Sequence, residues 1–151
     1  MDIRDFLTPA DTLIGLRADD KVALLEILAQ HAAAPCEVAA DRISAELLKR
    51  EQLGSTGVGG GVAIPHTRLP ELKRPFGTLA RLRRAIDFDA VDGRPVDLVF
   101  MLLVPTASAG QHLTALASVS RKLRDAGVVA KLRRAAVASE LYDAMASASS
   151  I

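Results

Sequence analysis

The sequence predicts an α/β fold in a single domain, with helices covering a β-sheet. Apolar segments of strand length are interleaved with segments of helical periodicity along the 151 residues, and no internal repeat or long linker interrupts them. Half of the residues are hydrophobic and a quarter are charged, which is typical of a globular chain. Only 3% are aromatic, so the core has to be built mainly from aliphatic side chains.

The first half of the chain predicts one strand and two helices. Residues 11–18 alternate loosely between apolar and polar side chains, as an early strand does. A helix follows, which Asp19 or Asp20 caps and which Pro35 ends. A second helix is expected over residues 39–52, with its apolar side chains on one face.

The second half predicts three strands and three helices. The strands are a short one within 61–66 that stops at Pro65, one within 76–88 with Leu79 opposite Ala80 and Leu82, and a buried one over 96–105. The first helix is capped by Ser108 and has apolar side chains at helical spacing, namely Leu113, Leu116, Val119 and Leu123. Two short helices follow at 128–134 and 138–146. We expect one domain over residues 1–151, with 147–151 as a frayed tail.

Composition argues against several classes of protein. The net charge of +1 provides no strong field for nucleic acid or for a membrane surface, and no apolar run is long enough to cross a bilayer. The single Cys36 excludes an internal disulfide and a cysteine-built metal site, and three dispersed histidines do not suggest zinc. We therefore expect a cytoplasmic protein without metal or cofactor, and the N-terminus lacks the apolar region of a signal peptide.

The segment GSTGVGGGVAIPH, from Gly54 to His66, contains half of the ten glycines. It lacks the lysine of a nucleotide P-loop, and it follows a helix and precedes a strand, the reverse of a dinucleotide fingerprint. Two interpretations remain. The segment is either a plain flexible turn, or its free backbone N–H groups form a nest that accepts an anion beside His66.

Two histidines and an arginine are candidates for chemistry at this segment. His66 follows a rigid proline at a strand end, and a neutral imidazole is a usable nucleophile near pH 7. His112 lies in the first turn of a helix, where N–H groups and the helix dipole favour anions, and Arg50 could donate from the end of the preceding helix. Each of the three also has a plain structural explanation. For His31, near a helix C-terminus, that explanation is sufficient.

The segment LLKREQLGSTGVGGGVAIPHTRL, together with PVDLVFMLLVP and QHLTALASVSRKLRD, closely resembles the mannitol/fructose class of enzyme IIA domains of the bacterial phosphoenolpyruvate-dependent phosphotransferase system. The similarity extends over about residues 5–146. It implies a mixed sheet of about five strands with helices on both faces. The chain departs from the family pattern at Gly60, often Asn, and at Thr67, often Gly.

The resemblance also implies roles for individual residues. His66 matches the phosphoryl acceptor, while His112 and Arg50 match supporting residues of the same site. We expect the phosphoryl group to be cradled by the glycine-rich loop, namely Ser55, Thr56, Gly57, Gly59, Gly60 and Gly61. The donor would be a phosphorylated HPr-like carrier protein that docks on apolar side chains such as Val58 and Leu69.

Three functions follow as hypotheses. The first is a regulatory phosphocarrier that controls target proteins, like the nitrogen-regulatory enzyme IIA branch, which a chain of this size without transport domains resembles most. The second is a fructose or mannitol transport component that passes the phosphoryl group to a cysteine of an enzyme IIB. The third is an α/β domain in which His66 is structural or pairs with Ser55 for hydrolysis, although the chain has no G-x-S-x-G motif.

Overall fold

The structure is a computed structural model that describes residues 1–107 and 109–147. The predicted cap Ser108 and residues 148–151 of the predicted tail lie outside the described residues. Two short 3-10 turns, Ile3–Asp5 and Pro9–Asp11, precede the regular elements. Those elements are, in chain order, β1 (Thr12–Leu16), α1 (Lys21–Cys36), α2 (Ala40–Gln52), β2 (Gly57–Gly59), β3 (Val62–Ala63), β4 (His66–Leu69), β5 (Phe76–Ile86), β6 (Val96–Pro105), α3 (Ala109–Arg124), α4 (Ala126–Arg134) and α5 (Ala138–Ala146).

The six strands form one mixed sheet in the order β1-β5-β6-β3-β2, with β4 also paired to β6. The apolar strand β6 is central: it runs antiparallel to β5 and parallel to both β3 and β4. The predicted mixed α/β fold is therefore confirmed. The six strands exceed the four that were predicted from apolar periodicity, because the glycine-rich segment contains β2 and the segment around His66 divides at Ile64 and Pro65 into β3 and β4. His66 accordingly begins a strand, whereas the sequence suggested that it ends one.

Helices pack on both faces of the sheet, as predicted. Alternate residues of β5 and β6 point to opposite faces, so that Leu79 and Phe100 belong to one apolar cluster while Ala80 and Met101 belong to the other. Helices α1 and α2 cover the Ala80 face, and α3, α4 and α5 cover the Leu79 face. Within the described ranges, no helix combines the length and the apolar content needed to cross a bilayer.

The end of α1 differs from the prediction. Asp20 caps its start as expected, its side chain accepting from the N–H of Ala23 at 2.8 Å. Pro35 does not end the helix, which continues for one more residue to Cys36. The helix ends at Glu37, whose left-handed backbone (φ 55°) breaks the helical run. Helix α4 begins two residues earlier than predicted, while α2 and α5 lie where the periodicity indicated.

Candidate functional site

The fold brings His66 and His112 together. His66 pairs with Leu102 on β6, and β6 ends at Pro105, a few residues before the first turn of α3 that carries His112. Leu102 points to the face that α3 covers, and so does its parallel neighbour His66. The two imidazole ring centroids lie 5.7 Å apart, with a tilt of 47° between the rings. Strand pairing thus places two histidines, 46 positions apart in the chain, in one site.

The imidazole of His66 has a defined tautomer. Its Nδ1 lies 2.7 Å from the carbonyl oxygen of Ile64, two residues earlier. A carbonyl oxygen only accepts hydrogen bonds, so Nδ1 must carry the proton. In the neutral ring, Nε2 then keeps its lone pair. Pro65 separates the two partners and has a fixed φ, which limits the freedom of this short link.

The surroundings of both rings lower their pKa values. Burial lowers the pKa of His66, the hydrogen bond to the Ile64 carbonyl opposes this, and the nearby Arg50 guanidinium lowers it further. Burial also lowers the pKa of His112, and the charge of Arg68 and the proximity of His66 act in the same direction. Only 8% of His112 is exposed, and within the described part of the chain its buried Nδ1 has no hydrogen-bond partner. The site therefore favours two uncharged imidazoles.

The histidines lie in an open cleft of about 370 Å³ with a positive lining. Besides the two rings, its wall comprises Glu46, Lys49, Arg50, Leu53, Thr67 and Arg68. Three of these side chains are cationic, and the one carboxylate, Glu46, lies 3.4 Å from the guanidinium of Arg42. An anion that enters the cleft therefore meets an uncompensated positive charge.

Arg50 lies where the sequence placed it, in the last turn of α2 beside His66. One of its guanidinium nitrogens donates to the carbonyl oxygen of Gly54 at 2.8 Å. Sequence reasoning missed Arg68, which lies two residues after His66 on β4 and hence on the same face of the sheet. That spacing was a usable signal. Nothing in the sequence pointed to Lys49.

The glycine turn does not lie at the histidines, which corrects the expected cradle. Gly59, Gly60 and Gly61 have positive φ values of 102°, 66° and 80° and form the tip of the β2–β3 hairpin. Val62, next to the tip, pairs with Leu98, whereas His66 pairs with Leu102. These two positions are separated by about 13 Å along β6, so the tip lies toward the start of that strand and away from His66. The hairpin carries the turn away from the nucleophile although the two are close in sequence.

The remaining members of the expected cradle are already occupied. The Ser55 hydroxyl donates to the carbonyl oxygen of Phe88 at 2.7 Å, and it accepts from the Gly57 N–H at 3.0 Å. The Thr56 N–H donates to the carboxylate of Glu51, and the Gly60 N–H donates to Asp92 at 3.0 Å. These groups hold the loop to the protein and are not aimed at an anion. The Ser55 hydroxyl is committed to the Phe88 carbonyl, and Ser55 makes no hydrogen bond with His66, so the pairing that a hydrolase would need is not formed.

The apolar side chains around the site differ from those expected. Leu69 is fully buried in the core below α1 and α2, so the prediction that it docks a partner is wrong. Val58 is half-exposed, but it belongs to the hairpin. At the cleft itself, Leu53 is 83% exposed and Leu113, adjacent to His112, is 67% exposed. Leu113 therefore faces solvent and does not belong to the buried stripe of α3 that its spacing suggested.

The third histidine lies elsewhere. Nε2 of His31 is 2.9 Å from a carboxylate oxygen of Asp11, which joins α1 to the turn before β1. This contact, more than the helix dipole that the sequence suggested, accounts for His31. Among residues 1–107 and 109–147 no group of three or more histidine, cysteine, aspartate or glutamate side chains is arranged to hold a metal ion.

Comparison with known proteins identifies the family of the chain. The family model described as "Phosphoenolpyruvate-dependent sugar phosphotransferase system, EIIA 2" matches residues 5–148. The chain is 44% identical to a nitrogen regulatory protein of Bradyrhizobium diazoefficiens, over 97% of this chain and 95% of that protein. It is 41% identical to a nitrogen regulatory protein of Pseudomonas aeruginosa, over 93% and 92% of the two chains.

The solved structures agree. The crystal structure of the nitrogen regulatory protein IIA-Ntr from Neisseria meningitidis superposes with a TM-score of 0.90 and 32% identity, over 95% of this chain and 98% of that one. The chain therefore belongs to the EIIA 2 family of the phosphoenolpyruvate-dependent sugar phosphotransferase system and is a component of that kind of phosphotransferase.

Proposed function

We propose that His66 accepts a phosphoryl group on Nε2 from the phosphohistidine of an HPr-like carrier protein. The observation that carries this proposal is the hydrogen bond from Nδ1 of His66 to the Ile64 carbonyl, which leaves the lone pair of Nε2 free beside a cationic cleft. A neutral imidazole with one fixed tautomer is a competent nucleophile without a separate general base.

The transfer is a direct in-line displacement. The lone pair of Nε2 forms the new P–N bond while the P–N bond in the carrier breaks, and the carrier's imidazole keeps that electron pair and leaves neutral with a proton on its other nitrogen. The proton on Nδ1 of His66 stays in place, so the phosphorylated ring is positive and the Ile64 carbonyl accepts from it. One phosphoramidate replaces another, so the step needs positioning and charge stabilisation above all.

The cations of the cleft stabilise the transferred group. Arg50, Arg68 and Lys49 surround the entrance, and His112 lies within reach of the same volume. One charge-assisted hydrogen bond contributes about 1.5–3 kcal/mol, so losing one of these donors should slow transfer about tenfold to a hundredfold. The Gly59–Gly61 turn takes no part in this scheme.

We propose that the modified protein acts as a regulator. The phosphoryl group adds nearly two negative charges to a positive cleft, which is sufficient to create or abolish a contact with a target protein. The two sequence relatives described above, which match over more than nine-tenths of both chains, are named nitrogen regulatory proteins, and this favours regulation over sugar uptake. We place this reaction in the cytoplasm, where phosphoenolpyruvate and the carrier are present.

The test is phosphorylation with purified components. We expect phosphoenolpyruvate, enzyme I and an HPr-type carrier to add one acid-labile phosphoryl group, measured by intact mass, and ³¹P–¹⁵N NMR to place it on Nε2. His66→Ala should abolish the gain, and His112→Gln should slow it. The matched control is His31→Gln, because His31 contacts Asp11 and lies outside the cleft. A mass gain that survives His66→Ala would refute the proposal, and rapid transfer onward to a fructose or mannitol IIB protein would refute the regulatory assignment.

A further inference from the structure

A buried carboxylate next to the site has no part in the scheme above. Glu51, at the end of α2, is 8% exposed, and its Oε2 lies 2.9 Å from Nζ of Lys21. Its two oxygens lie 3.1 and 3.2 Å from the backbone nitrogen of Thr56, which donates to them, and the Thr56 hydroxyl donates as well. A buried charge held by three donors at one point of the chain fixes that point firmly.

Backbone hydrogen bonds connect this point with the nucleophile. The carbonyl oxygen of Thr56 accepts from the Ile64 N–H at 3.0 Å, and the carbonyl oxygen of Ile64 accepts from Nδ1 of His66 at 2.7 Å. Hydrogen bonds therefore connect the Glu51 carboxylate to the imidazole of His66 through the backbone of two residues, Thr56 and Ile64. Because the Ile64 N–H binds the Thr56 carbonyl, a displacement of Thr56 would disturb Ile64, whose carbonyl is the acceptor that defines the tautomer of His66.

A second branch leads to Arg50. The Gly54 N–H donates to the backbone carbonyl of Glu51 at 3.1 Å, and the Gly54 carbonyl accepts from the guanidinium of Arg50 at 2.8 Å. Gly54 lies in the turn that Glu51 and Thr56 close. The same turn therefore presents the acceptor that holds the Arg50 guanidinium at the cleft.

We infer that Glu51 is a positioning residue for phosphoryl acceptance: its carboxylate, paired with Lys21, fixes the turn 53–56 and through it the ring tautomer of His66 and the orientation of Arg50. Groups behind a reacting side chain commonly fix its tautomer and orientation in this way. The inference rests on the proposed role of His66 as acceptor, but the tautomer that it concerns exists in the unphosphorylated protein.

A merely structural role makes a different prediction. Lys21 also lies 3.5 Å from Asp89 and 4.7 Å from the centre of the Phe88 ring, so the pair joins α1 to the segment after β5. If this were all that Glu51 does, its removal would lower stability and leave the His66 ring unchanged. The tautomer of the His66 ring therefore distinguishes a positioning role of Glu51 from a purely structural one.

The experiment compares Glu51→Ala, which removes both acceptor oxygens, with Glu51→Gln, which keeps one oxygen for the Thr56 N–H. Glu140→Gln is the control, because the exposed Glu140 accepts from the Ala136 N–H before α5 and does not line the cleft. Long-range ¹H–¹⁵N spectra of the imidazoles report the tautomer, and phosphorylation by the carrier reports the rate. We expect the wild type and the control to have the proton on Nδ1 of His66, Glu51→Ala to show mixed tautomers and transfer at least tenfold slower, and Glu51→Gln to recover part of both.

The outcomes separate the two proposals. A folded Glu51→Ala variant with the wild-type tautomer and rate would overturn the inference while leaving the acceptor role of His66 intact. A wild type that accepts no phosphoryl group would overturn the acceptor role, and the tautomer spectra would still test the coupling to Glu51. Should Glu51→Ala not fold, Glu51→Gln decides: an unaltered ring and rate in that variant count against positioning.

Discussion

Adjacent glycines at the hairpin tip provide a test of what the glycine turn does. Gly60 and Gly61 both have left-handed backbones, with φ of 66° and 80°. A Cβ at Gly60 would meet nothing within 4 Å, whereas a Cβ at Gly61 would lie 2.5 Å from Nη2 of Arg133 and 3.0 Å from Oδ1 of Asp97. Alanine at either position incurs the same kind of backbone strain, and only the second disturbs a contact.

The magnitudes follow from these contacts. An alanine in the left-handed region costs about 1–2 kcal/mol, which is the whole effect expected for Gly60→Ala. At Gly61 the new methyl group also displaces the Arg133 guanidinium, which donates to Asp97 at 2.9 Å and to the Gly60 carbonyl at 2.7 Å. A partly exposed ion pair contributes up to about 1 kcal/mol and a hydrogen bond about 0.5–1.5 kcal/mol. We therefore expect Gly61→Ala to destabilise the protein by about 2–4 kcal/mol.

Urea unfolding followed by circular dichroism measures both free energies, and phosphorylation under native conditions measures activity. Because the tip lies about 13 Å along β6 from His66, both variants should accept the phosphoryl group at the wild-type rate. In an Arg133→Met background Gly61→Ala should cost no more than Gly60→Ala. Equal losses of stability in the wild-type background would refute the contact argument. A tenfold slower phosphoryl transfer in either variant would contradict the conclusion that the glycine turn lies outside the site.

Three further outcomes follow from the site and the core. Because burial in the folded protein lowers the pKa of His66 below its ordinary 6.5, we expect the ring to titrate by NMR with a midpoint below that value. The unfolded ring then binds a proton before the folded ring does, so the free energy of unfolding should fall as the pH drops below 6.5. Leu53→Asp, at an 83% exposed position on the cleft, should leave the unfolding midpoint unchanged and raise the KM for the phosphorylated carrier. Leu69→Asp, at a fully buried position, should prevent folding, as judged by circular dichroism. Burial raises the pKa of Cys36 to about 11, so iodoacetamide at pH 8 should modify it about a hundredfold more slowly than in urea-unfolded protein; equal rates would contradict this environment.

Sequence periodicity predicted the elements of the fold better than their junctions. The apolar run of β6 and the alternating pattern around Leu79 and Ala80 predict strands, because the burial of one or both faces of a strand requires apolar residues at those positions. The end of α1 was predicted at Pro35 because proline interrupts the hydrogen bonding of a helix. The helix instead ends before Glu37, whose left-handed conformation is not predicted by its residue type. Junctions depend on single backbone angles, which residue type constrains weakly.

The site was predictable residue by residue but not as a geometry. His66, His112 and Arg50 were named from their positions at element ends, and they do line one cleft. The glycine turn was assigned to the same cleft because it adjoins His66 in sequence. Its true place depends on the register of β3 on β6, a long-range pairing that no local pattern encodes. Glu51 was missed for a related reason, since only the fold shows that its carboxylate is buried against Thr56.

The charges around His66 explain how one cleft serves both states of the proposed reaction. Glu51 pairs with Lys21, and Glu46 contacts Arg42, which also binds Glu71. Among the described residues, Lys49, Arg50 and Arg68 meet no carboxylate within ion-pair distance. Before transfer, burial lowers the pKa of His66 and the positive charge of Arg50 lowers it further, which favours the neutral nucleophile. After transfer, the same charge attracts the phosphoryl oxygens. The acids beside the site must therefore be neutralised by cations other than these three, because a carboxylate paired with Arg50 would weaken both effects at once.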